Sequence, residues 1–82
     1  MSSADEFQLF LDARGLECPL PLLKTRLELK KLTGNDVLLV TVTDGGSWQD
    51  IPRYLANSEY ELLSANENNG EYRFFIKRKV ES

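Results

Sequence analysis

Apolar residues recur at every second position at Phe7, Leu9 and Leu11, which predicts a short strand with one buried face. The connection Asp12-Ala13-Arg14-Gly15-Leu16-Glu17 follows, with Gly15 suited to a positive φ. From Pro19 the period lengthens. Leu20, Leu23 and Leu27 stand at helical spacing, joined by Leu16 before them and Leu32 at the end. Charged residues fill most positions between, so the spacing predicts an amphipathic helix whose leucine face meets the core. It stops near Thr33-Gly34-Asn35. Residues 37–43 are rich in β-branched side chains and predict a central strand.

Ser47-Trp48-Gln49-Asp50 has the spacing of a capping box, and Trp48, Ile51 and Leu55 continue at i, i+3 and i+7. Pro52 conflicts with a regular helix there. Either the helix begins close to Asp50, or its first turns are distorted. Asn68-Asn69-Gly70 predicts a hairpin turn between strands at 60–66 and 71–79, with Tyr72, Phe74 and Ile76 on one face.

The resulting order is β-α-β-α-β-β. Right-handed crossovers put both helices on the same side, which predicts an α/β two-layer sandwich: a four-stranded mixed sheet with two helices on one face. The other face then has no helical cover. Phe10, Leu39 and Phe75 alternate away from the predicted core and are expected to form an open apolar patch there.

Composition narrows the chemistry. Eighty-two residues suffice for one domain, 1–82, with 1–6 expected as a flexible lead. The chain has no His and a single Cys. The commonest general base is therefore missing, and neither an internal disulfide nor a multi-Cys metal site can form. No cofactor and no metal are expected.

Thirteen acidic against ten basic residues give a net charge of −3, which argues against RNA as a direct partner. The cations nevertheless cluster, at Lys24, Arg26, Lys30 and Lys31 and again at Lys77, Arg78 and Lys79. A solvated face is expected, with Lys24 pairing to Glu28; the alternative is a docking patch for an acidic protein or RNA. The start of the chain lacks a signal-peptide pattern, and no apolar run approaches membrane length, so no membrane is expected as a partner. With an unpaired Cys, that predicts a cytoplasmic monomer.

The remaining chemistry falls to one thiol. Pro19 suits the first helical position, which places Cys18 at the N-cap, where free backbone N–H groups and the helix dipole favour thiolate. Arg14 adds positive charge nearby, whereas Asp12 and Glu17 oppose it. Pro21 stiffens the turn. A strand-to-helix corner flanked by Glu17 and Pro19 favours an exposed, reactive sulfur over a small buried hydrophobe.

The segment Leu11-Asp12-Ala13-Arg14-Gly15-Leu16-Glu17-Cys18-Pro19-Leu20-Pro21 resembles the signature of the TusA, or SirA-like, family of sulfur carriers. Asp50-Ile51-Pro52 and Tyr60-Glu61-Leu62-Leu63 extend the likeness toward the last strand. The resemblance implies the fold just derived. It also implies that Cys18 takes a sulfane sulfur as a persulfide, from a donor such as a cysteine desulfurase or rhodanese, and passes it to an acceptor protein. Asp12, Arg14, Gly15, Pro19 and Pro21 occupy the motif positions that shape such a site. Glu17, Leu20, Lys24 and Arg26 are expected to meet partners. Leu20 stands where tRNA-thiolating members carry Glu, so the resemblance points to sulfur carriage without that pathway in particular. The alternative is a non-catalytic interaction or regulatory module that uses the open sheet face.

Overall fold

The computed structural model describes residues 7–79, and the flexible lead expected at 1–6 lies outside them. Elements follow in the order β1 (Leu9–Ala13), α1 (Leu20–Leu29), β2 (Val37–Val42), α2 (Ser47–Ala56), β3 (Tyr60–Asn68) and β4 (Glu71–Arg78). The sheet order is β1-β2-β4-β3, with β1 parallel to β2 and β4 antiparallel to both its neighbours. The second crossover therefore skips one position, and the β3–β4 hairpin returns to fill it. Asn69 and Gly70 make that turn at φ 55° and 83°, the left-handed pair a two-residue hairpin needs. The mixed two-layer sandwich is as the element order predicts.

Period-2 alternation sorts the strand residues. Leu38, Val40 and Val42 of β2 and Phe74 and Ile76 of β4 are buried with Leu29 and Leu32 and with Ile51 and Leu55 of α2. Both helices thus cover the same sheet face. A bulge between Leu62 and Ser64 turns Leu63 out to solvent. No helix among the described residues is long and apolar enough to cross a membrane.

Three expectations need correction. First, α1 is rotated: it buries Pro21, Thr25 and Leu29, while Leu20, Leu23 and Leu27 are 45%, 44% and 62% exposed. The i, i+4, i+8 stripe that faces the sheet is as regular as the leucine stripe, and the Thr25 hydroxyl avoids an unmet hydrogen bond by donating to the Pro21 carbonyl at 2.7 Å. Consequently Leu29→Ala should cost about 2–5 kcal/mol by urea denaturation, whereas Leu27→Ala should stay within about 0.5 kcal/mol.

Second, the expected open patch is largely closed. Phe10, Leu39 and Phe75 do share a row across the sheet. Yet Leu39 and Phe75 are only 8% and 4% exposed, because they lie on the two central strands with neighbours on either side; Phe10, on the edge strand, stays open.

Third, Glu28 pairs with Lys31 at 3.1 Å rather than with Lys24.

Helix α2 begins at Ser47 with a distorted first turn. Trp48 and Gln49 donate to carbonyls three residues back, a tighter winding than the α-helix, and Pro52 lies inside the helix. No capping box forms. Instead the Asp44 carboxylate accepts from both the Ser47 amide, at 3.1 Å, and the Ser47 hydroxyl, at 3.3 Å.

Candidate functional site

Parallel pairing of β1 and β2 brings their C-terminal loops side by side, and Cys18 lies where those loops meet the helices. The β1–α1 loop is braced at several points. Arg14 closes on Asp12 through Nε at 2.9 Å and Nη2 at 3.0 Å, and reaches Glu71 at the start of β4 at 3.3 Å. The guanidinium holds the Asp12 carboxyl below the usual carboxylate range. Gly15, at φ 82°, donates its amide to the Thr43 hydroxyl at 2.8 Å, tying the loop to the end of β2. A side chain at Gly15 would have space, but the positive φ would strain it.

The helix start is shifted by one residue from the sequence expectation. Pro19 is the N-cap of α1, Pro21 is buried in its first turn, and Cys18 precedes the cap. The Leu20 amide donates to the Glu17 carbonyl at 2.8 Å. The thiol is exposed and directed elsewhere: Cys18 Sγ donates to Asp50 Oδ2 at 3.3 Å. Helix α2 comes close at the same point, since a Cβ placed on Gly46 would stand 3.9 Å from Cys18 Cβ and 3.1 Å from Asp44 Oδ2.

These neighbours settle the direction that the adjacent residues leave open. The hydrogen bond to Asp50 pushes the Cys18 pKa up, and partial desolvation and the charges of Asp50 and Asp44 push the same way. Arg14 is engaged by Asp12 and Glu71 instead of the sulfur. A raised pKa means less thiolate at neutral pH, with reactivity gained only as pH rises past the range of an ordinary thiol. Asp50→Asn removes one charge and supplies an amide donor for thiolate. The variant should therefore react several-fold faster with iodoacetamide at neutral pH, and its rate should level off at a lower pH.

Asp44 and Asp50 stand beside the thiol and are absent from the expected site residues: Asp50 reads as half of a capping box and as part of the Asp50-Ile51-Pro52 likeness, and Asp44 as loop. The signal that finds them is topological: loops at the carboxyl ends of neighbouring parallel strands share a site. Of the other expected residues, Glu17, Leu20, Lys24 and Arg26 are exposed, and Arg26 packs 5.5 Å from the centre of the Tyr54 ring. Among the described residues no cluster of His, Cys, Asp or Glu suits a metal ion.

A family model described as Sulfurtransferase TusA matches residues 9–78, which include every residue of this constellation. The chain belongs to the TusA family. It is 37% identical over 73 residues to the sulfur carrier protein TusA of Allochromatium vinosum, covering 89% of this chain and 96% of the relative. It is 35% identical over 71 residues to the sulfur carrier protein TusA of Pseudomonas entomophila, covering 87% and 89%. The family match thus spans the braced loop, the thiol and both carboxylates together.

Proposed function

We propose that the protein carries sulfane sulfur as a persulfide on Cys18 between a donor protein, such as a cysteine desulfurase or rhodanese, and an acceptor protein in the cytoplasm. The observation that carries this reading is one exposed thiol at a braced loop, with no second Cys in the chain. Membership of the TusA family, whose relatives above are named sulfur carriers, supports it.

The chemistry needs no more than this. The Cys18 sulfur attacks the terminal sulfur of a donor persulfide; a new S–S bond forms, the donor's S–S bond breaks, and the donor thiol leaves with the electron pair and the proton. An acceptor thiolate then attacks the outer sulfur of the Cys18 persulfide, and Cys18 leaves as thiolate. The transferred sulfur keeps its oxidation state, so neither an oxidant nor a reductant is required. A second thiol in the chain could attack the persulfide, expel sulfide and leave a disulfide. The lone Cys removes that route.

Asp12, Arg14 and Gly15 hold the loop, while Pro19 and Pro21 start the helix; their role is positioning. Asp50, which accepts the thiol's hydrogen bond, and Asp44 push the Cys18 pKa up and so favour the thiol over the thiolate.

Incubation with a cysteine desulfurase and cysteine, followed by intact-protein mass measurement, tests the reading. One added sulfur atom that dithiothreitol removes is expected. An unchanged mass across several desulfurases and rhodaneses would contradict it.

A further inference from the structure

The rotation of α1 leaves a surface that the fold itself does not use. Leu20, Leu23 and Leu27 stay open over two helical turns, about 10 Å of rise. Beside Leu23 and Leu27, between α1 and the end of α2, runs a groove of about 680 Å³ whose apolar lining is completed by Tyr54 and Tyr60. Arg26 and Lys30 also line it, against Glu59 as the one acid among the lining residues. Neither cation takes part in an ion pair among the described residues, and the same holds for Lys24 on the same helix. A chain of net charge −3 thus gathers cations that form no ion pair among the described residues around this exposed apolar stripe.

We propose that this groove binds an acidic amphipathic helix of the protein with which Cys18 exchanges sulfur, an inference that rests on the sulfur-carrier reading. The cations select the occupant, since Glu or Asp beside its apolar ridge would meet Arg26, Lys30 and Lys24. Two neighbouring helices with a furrow between them accept a third helix, whose apolar residues recur on one face. A small ligand confined to the groove would leave Leu20 uncovered; a helix laid along the stripe covers all three leucines. Leu20 lies two residues from Cys18, at the opposite end of α1 from Lys30. A partner seated on the stripe is therefore held beside the thiol without occupying it.

The test uses a synthetic helical peptide carrying Leu at i, i+3, i+4 and i+7 flanked by Glu, with a control peptide in which every Glu is Lys. Amide shifts are followed in ¹⁵N-labelled protein. The acidic peptide should move Leu23, Leu27, Tyr54 and Tyr60, bind less well as salt rises, and bind at least as well to Cys18→Ser. The doubly reversed variant Arg26→Glu/Lys30→Glu should weaken it on the order of tenfold or more, and Leu27→Glu should abolish it, both with wild-type dispersion of the spectrum. Absence of binding, equal binding of the lysine peptide, or unchanged binding to Leu27→Glu overturns the proposal. So does concentration-dependent self-association that Leu27→Glu removes, which would make a second copy the occupant. Binding of tRNA to these amides in place of the acidic peptide overturns it as well. Peptide binding by a protein that no donor can load would keep the groove as a docking site and remove the carrier reading; loading without peptide binding would do the reverse.

Discussion

Cys18→Ser should take up no sulfur from any donor that loads the wild-type protein, a loss to background. The hydroxyl is a far weaker nucleophile near neutral pH and cannot form a persulfide. The side chain is exposed and makes one hydrogen bond, to Asp50 at 3.3 Å, which a hydroxyl can replace. Melting temperature and near-UV spectrum should therefore match the wild type, separating loss of chemistry from loss of fold. Residual loading of Cys18→Ser would place the carried sulfur on another group and remove the basis of the relay.

The largest stability effect should come from Phe74→Ala. Phe74 is fully buried on β4, in contact with the Trp48 ring at 5.8 Å between centroids, and lies in the cluster that joins sheet and helices. Truncation there should cost about 3–5 kcal/mol. Small domains have about 5–15 kcal/mol in all, and one this short belongs near the lower end. Urea denaturation should show the midpoint falling by half or more, with little change in slope. Trp48 provides the signal, since its ring also lies 5.1 Å from Tyr72 and half the aromatic contact disappears. A midpoint shift equivalent to less than about 1 kcal/mol would contradict the placement of Phe74 at the centre of the core.

The later strands and the hairpin were legible because their signals are local, whereas β1 runs two residues further than its alternation suggested, over Leu9–Ala13, and leaves Phe7 outside it and exposed. Tyr72, Phe74 and Ile76 recur at every second position, and Asn69-Gly70 supplies the turn chemistry whatever surrounds it. The rotation of α1 was not legible. Its leucines and its Pro21-Thr25-Leu29 stripe have compatible spacings, and only packing against the sheet chooses between them. Thr25 misleads most: it reads as polar, but its hydroxyl is satisfied within its own helix, so it can be buried at little cost.

The site divides along the same line. Cys18 and its prolines stand out because helix-start chemistry is written in adjacent residues. Its electrostatic partner is 32 positions away and depends on how two crossovers return their helices to one sheet edge. The local segment holds opposing influences on the thiol, the helix start and Arg14 against Asp12 and Glu17, and the carboxylates that decide the direction come from elsewhere in the chain. Leu39 and Phe75 make a parallel case on the other face: alternation places them correctly, whereas their burial depends on the strand order β1-β2-β4-β3, which adjacent residues do not encode.

The hand-off of sulfur tests the central claim most directly. The protein is loaded from isotopically labelled cysteine by a desulfurase, separated from the donor, and offered to an acceptor thiol, with the label followed by peptide mapping. Carriage predicts that the label sits on the peptide containing Cys18 and leaves it in step with its appearance on the acceptor, one sulfur for one. Label found elsewhere in the chain, or retained on Cys18 while the acceptor stays unlabelled, would contradict it.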